Sequence, residues 1–188
     1  QGEETDNHHW VPLYDYPNDR ATFECRITVD KKFKALSNGE LLSITDNSDG
    51  THTFHWKENF PMVSYLISFV VGDYVKVEDS YNGLPVNYWV YSSNQEEALR
   101  SFGKTPDMIS YFNELTGIEY PFEKYDQVIV SDFMWGGMEN ITLTHNTDRT
   151  MHDSRAQPDH SSEGLVAHEL AHQWYGNMIT TRNWSNIW

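Results

Sequence analysis

Residues 21–30 alternate strictly, with Ala21, Phe23, Cys25, Ile27 and Val29 on one side and Thr22, Glu24, Arg26, Thr28 and Asp30 on the other. A period of two with one apolar face predicts a strand that buries one face and wets the other. Leu42-Ser43-Ile44, the polar stretch Asp46-Asn47-Ser48-Asp49-Gly50 and then His52/Phe54/Trp56 predict a hairpin closed by a polar turn. The run Tyr65-Leu66-Ile67-Ser68-Phe69-Val70-Val71 is almost continuously apolar and predicts a strand buried on both faces. The first part of the chain therefore reads as strand-rich, part of a sandwich or saddle-shaped sheet. Val75/Val77, a turn at Asn82-Gly83 and Val86/Tyr88/Val90 extend the strand pattern further.

The period then changes to that of a helix. Thr105-Pro106-Asp107 is a helix start, with Thr105 as N-cap, and Met108, Ile109, Phe112 and Leu115 share the inner face until Gly117 ends it. Gln127-Val128-Ile129-Val130 predicts another strand. Leu165, Val166, Leu170 and Trp174 form the apolar stripe of a second helix, which starts near Asp159 and Glu163 and stops at Gly176-Asn177. Strands, helices, a strand and a last helix make an α+β protein, with residues 1–73 as a partial N-terminal β domain and 74–188 as a second, partial domain. No repeat, linker or low-complexity segment interrupts the chain.

Composition removes several functions. A net charge of −15 and a pI near 4.8 repel the phosphates of nucleic acids and of anionic membranes. The longest apolar run is far too short to span a bilayer. Cys25 is the single cysteine, which excludes an internal disulfide and a thiolate metal cluster. The chain opens at Gln1 without a methionine or a leader, and both ends read as cut from something longer.

His168-Glu169-Leu170-Ala171-His172 carries the chemistry. Histidines four apart on a helix are neighbours, so both imidazoles can converge on one zinc ion, and Glu169 stands beside the first as a general base. With nine histidines in the chain, chance predicts roughly 0.03 occurrences of this spacing, so an accident is a poor explanation. The plainer alternative is a surface helix with two solvated histidines, and the apolar stripe beside them argues against it. The remaining histidines (His8, His9, His52, His55, His145, His152 and His160) read as solvated or structural, the last three in a polar connection before the metal helix. Upstream, Gly136-Gly137-Met138-Glu139-Asn140 places a carboxylate beside a backbone that a ligand can approach closely.

Gly-Gly-Met-Glu-Asn followed by His-Glu-Leu-Ala-His-Gln-Trp-Tyr-Gly-Asn resembles the M1 (gluzincin) zinc aminopeptidases. Trp10-Val11-Pro12, Pro17, the Tyr65–Gly72 run and Tyr120-Pro121-Phe122 add to the likeness, which covers nearly the whole chain. The resemblance implies a thermolysin-like catalytic domain, truncated here, after the end of a β-sandwich domain. It implies that His168 and His172 are zinc ligands, that Glu169 activates water, and that Glu139 anchors the free amino terminus of a peptide substrate. Gly136, Gly137 and Met138 would line the path of that peptide. Gln1-Gly2-Glu3 resembles the family's Gln-x-Glu segment, which implies Gln1 and Glu3 near the amino group and the first side-chain pocket.

The family's third zinc ligand, a glutamate, would fall roughly three positions past Trp188, so little peptidase activity is expected of these residues alone. A bifunctional epoxide hydrolase and aminopeptidase of the leukotriene A-4 hydrolase type carries the same motifs, and a metal-free scaffold on this fold is a third reading.

Overall fold

The computed structural model describes residues 6–157 and 159–187. The alternating segment forms β1 (Ala21–Asp30), the short β2 (Lys34–Ser37) follows, and the predicted hairpin forms β3 (Glu40–Asp46) and β4 (Thr51–Met62). β1, β4 and β3 build one antiparallel sheet in that order, with Ile27 and Ile44 both opposite Phe54. β4 turns Phe54, Trp56 and Glu58 into the interior, while β3 is exposed along its whole length.

The apolar run at 65–71 departs from expectation. Ser64–Leu66 forms a single 3₁₀ turn, and only β5 (Phe69–Gly72) is a strand, paired with β2 and with Phe69 half exposed. The cause is Asn38, whose buried side chain accepts from Ser68 N–H at 2.8 Å and donates to Leu66 O at 3.0 Å. These backbone groups are satisfied by an amide side chain, so no second strand is needed there. The turn also frees Tyr65 to face the second sheet.

That sheet begins with β6 (Tyr74–Tyr81) and β7 (Leu84–Tyr91). Asn82 and Gly83 join them at φ of 47° and 88°, the positive pair that a type I′ hairpin turn requires. Two helices, α1 (Ala98–Phe102) and α2 (Thr105–Thr116), lead to β8 (Tyr125–Val130), then β9 (Gly137–Met138), β10 (Leu143–Thr147) and finally α3 (Glu163–Ala171). The five strands lie in the order β6-β7-β8-β10-β9, with β7, β8 and β10 mutually parallel and β9 antiparallel at the edge.

Two details of the helical region correct the sequence reading. Lys104, not Thr105, caps α2, and the Thr105 hydroxyl turns back to donate to Phe102 O at 2.6 Å. Leu115 is 63% exposed and Ile109 is fully buried, so the inner face is narrower than the apolar spacing suggests. β10 was not expected at all. It carries His145, which therefore belongs to a strand rather than to the polar connection.

One apolar core joins the three sheets. Ala35, Leu36, Phe54 and Trp56 pack in the same cluster as Tyr88, Val128, Leu143, Val166, Leu170 and Trp174. The seam is also polar: Asn38 donates to Ile141 O at 2.7 Å, and Lys124 Nζ reaches Ser37 O at 3.2 Å while paired with Asp126 at 2.8 Å. No helix among the described residues is long and apolar enough to cross a membrane.

Candidate metal and substrate site

Val166 and Leu170, one turn apart on α3, are fully buried and fix which face of that helix meets the core. His168 and His172 share the neighbouring face, toward β9. The helix stops earlier than the sequence suggests, at Ala171, with His172 as its C-cap. Gln173 and Trp174 are drawn inward instead: Gln173 is fully buried, and the Trp174 indole donates to Ile118 O at 3.0 Å. Burying those two side chains tightens the last turn.

The two imidazoles converge, with His168 Nε2 and His172 Nε2 3.2 Å apart and the ring planes nearly perpendicular at 85°. Two nitrogens on one tetrahedral zinc at the usual bond length of about 2.0–2.1 Å lie roughly 3.3 Å apart, so the pair has the spacing of two ligands to a single ion. His172 Nδ1 lies 2.9 Å from Tyr175 O. A proton on Nδ1 for that carbonyl leaves the Nε2 lone pair free for a metal. Among the described residues no group of three or more His, Cys, Asp or Glu side chains is placed to hold an ion, so the chain brings two donors together here.

Glu169 is buried, at 4% exposure, although it neighbours the exposed His168. Its carboxylate packs on the backbone of β9. A Cβ at Gly137 would sit 2.4 Å from Glu169 Oε1, so any other residue there would displace the carboxylate. The second glycine of the motif is thus explained by the first carboxylate.

Glu139 lines the same cleft. Tyr65 OH donates to Glu139 Oε1 at 3.1 Å. Burial, and then the charge of Glu139, push the Tyr65 phenol well above its usual range and keep it a donor. The Glu139 carbonyl accepts from Asn177 Nδ2 at 2.7 Å and Gln173 Nε2 at 3.2 Å. A cleft of about 510 Å³ is lined by Gly136, Gly137, Met138, Glu139, His168, Glu169 and His172, with Trp135, Gly164 and Leu165 as walls. Met138 itself is buried and pairs with His145 on β10.

Seven of the nine residues singled out from sequence thus line one cleft. Gln1 and Glu3, with Gly2 between them, lie outside the described residues, as does Trp188. Tyr65, Gln173 and Asn177 were not assigned roles in advance, although all three stand inside the motifs that were recognised. Five of the other seven histidines have polar partners elsewhere: His8 with Asp15, His52 with Asp46, His55 with Glu24, His145 with Ser68 and His152 with Ser101.

Residues 100–188 match the model of the peptidase family M1 domain, and residues 1–66 match that of the peptidase M1 N-terminal domain. The chain belongs to peptidase family M1. It is 31% identical to glutamyl aminopeptidase of Bos taurus over 99% of its own length, and 32% identical to leukotriene A-4 hydrolase of Xenopus laevis over 95%. It is also 31% identical to puromycin-sensitive aminopeptidase of Caenorhabditis elegans over its whole length. The chain spans 20% of the first and last of these relatives and 28% of the hydrolase. This M1 chain is α+β, a sheet-rich N-terminal part followed by part of a catalytic domain, and its relatives are peptidases.

Proposed function

We propose that this chain carries the zinc-binding and amino-terminus-reading part of a metallo-aminopeptidase that releases N-terminal residues from peptides. The convergence of His168 and His172 beside buried Glu169, with Glu139 in the same cleft, carries the reading. Residues 1–73 would form the N-terminal β domain and 74–188 the peptidase domain, with the cleft in the latter.

His168 Nε2 and His172 Nε2 would hold zinc. The ion's contribution is to lower the pKa of water from about 15.7 to about 7. Glu169 then takes the proton on its carboxylate and returns it to the leaving amine, and its burial beside Gly137 holds that carboxylate in one place. β9 is an edge strand with one side paired to β10, so its other side offers backbone groups on which an extended peptide can lie. Glu139, held through its carbonyl by Asn177 and Gln173, fixes the α-ammonium of that peptide and sets which bond meets Glu169.

The test compares a free aminoacyl-nitroanilide with its N-acetylated form, using the zinc-loaded protein that contains these residues. Hydrolysis of the free form alone is expected, and equal cleavage of both would defeat the reading. The similarity to leukotriene A-4 hydrolase supports epoxide opening at the same site as a second activity, detected by assaying an epoxide substrate. Full folding with no bound zinc would favour an inert scaffold.

A further inference from the structure

Behind the cleft, at the seam between the sheets, a buried carboxyl group has a second carboxyl near it. Glu58 on β4 is fully buried, and the half-buried Glu123, just before β8, lies near enough for its charge to raise the Glu58 carboxyl. Like charges held this close disfavour ionisation of both carboxyls. Phe60 N–H donates to Glu58 Oε1 at 2.8 Å, and Thr142 Oγ1 lies 3.4 Å from Glu58 Oε2. The charged and titratable groups facing the pair are Glu40 from β3 and Lys124 and Tyr120 before β8. The Lys124 ammonium is already held by Asp126 and Ser37 O, so it serves the pair only from a distance.

Thr142 connects this pair to the cleft. It is a fully buried β-branched residue at φ of 61°, a costly conformation that persists only where its surroundings hold it. Its hydroxyl accepts from Gly39 N–H at 2.7 Å and so turns its own proton toward Glu58. Its N–H donates to Gln173 Oε1 at 3.3 Å, and Gln173 Nε2 donates to the Glu139 carbonyl at 3.2 Å.

We propose that Glu58 is a positioning residue for Glu139, acting through Thr142 and Gln173, and that its pairing with Glu123 makes this support pH-sensitive. The role of Glu139 rests on the function proposed above, but the connection itself does not. Burial first, and Glu123 second, raise the Glu58 carboxyl to about 8. A carboxyl raised on folding holds a proton that the unfolded chain releases, so stability falls as pH rises from about 4.5 to about 8. Ionisation at the upper end places two charges side by side at the seam, and the strained Thr142 turn is the element free to give.

The experiment is an NMR titration of the whole chain from about pH 5 to 9.5, with carbon-13 at the glutamate carboxyls and nitrogen-15 at the amides. The Glu58 carboxyl is expected to titrate far above the ordinary carboxylate range, with the Thr142 amide and the Gln173 side-chain amide moving at the same midpoint. In Glu58→Gln those amide movements vanish and the fall in thermal midpoint over this window flattens. Glu123→Gln lowers the midpoint by about one unit and tests the pair even where Glu58→Gln folds poorly. A Glu58 that titrates with the ordinary carboxylates, or Gln173 signals indifferent to it, overturns the proposal. These signals need neither zinc nor turnover, so a protein without peptidase activity would defeat the proposed function and leave this test intact.

Discussion

The hairpin of β3 and β4 and the inner strands β8 and β10 place polar residues under opposite conditions. On β3, Leu41, Leu42 and Ile44 are 41–50% exposed, and the neighbouring polar groups are solvated or in surface pairs such as Lys31 with Asp46. On β8 and β10, Gln127, Thr144 and Asn146 are fully buried. Thr144 Oγ1 donates to Tyr125 OH at 3.1 Å, and Gln127 Nε2 donates to Thr105 Oγ1 at 2.8 Å. The outer hairpin follows side-chain period. The inner strands follow a hydrogen-bond network that spends polar residues on holding a cleft. Water forgives a lost hydrogen bond in the first region and cannot in the second.

The largest effect that sharpens this contrast is on chemistry. Glu169→Gln, which keeps size and packing against Gly137, should lower zinc-dependent hydrolysis of an aminoacyl-nitroanilide by about 10²–10⁴-fold without altering the circular dichroism spectrum. Glu139→Ala comes next, with a KM for free amino-terminal substrates raised about 10–100-fold, the value of one charge-assisted contact. The preference for the free over the acetylated substrate should shrink accordingly.

Stability changes follow. Asn38→Ala strips partners from Leu66 O, Ile141 O and Ser68 N–H at once and should cost about 3 kcal/mol in urea unfolding. Thr28→Ala, which loses only the surface contact to Thr53 on the outer sheet, should stay within about 0.5 kcal/mol. Comparable losses at the two positions would break the distinction between the regions.

His145 supplies a pH test. Burial lowers its imidazole from 6.5 to about 4. The unfolded chain then binds a proton that the folded chain refuses, so stability present above pH 6.5 is lost as pH falls toward 4. His145→Gln should flatten that acid limb in thermal melts recorded across the window. The smallest effect is expected at Lys104, whose pairing with Glu163 at 2.8 Å lies in solvent. Lys104→Ala should leave the unfolding midpoint in place.

Legibility divides along the same line. β1, the β3–β4 hairpin, the Asn82-Gly83 turn and the end of α2 at Gly117 could be read directly, because period and turn chemistry are local properties. The run at 65–71 was misread because apolarity cannot show that Asn38, far away in sequence, takes over its backbone groups. β10 escaped notice because Thr144, His145 and Asn146 look like a loop until their partners on β8 are in place. α3 was placed correctly but drawn too long, since Gln173 and Trp174 turn inward for contacts that no helical period encodes.

The sequence by itself determined the chemical inventory of the cleft. His168, Glu169 and His172 are bound to one helical face by their spacing, and Glu139 follows a pair of glycines in a single short motif. Covalent proximity and helical geometry suffice for that much. Tertiary structure decided what holds these groups. It packed the Glu169 carboxylate on Gly137, put Tyr65 on Glu139, and ran Gln173 and Thr142 back to Glu58 at the seam. Those partners are distant along the chain, and a buried polar group acquires its partner only when the surfaces that exclude water close around it.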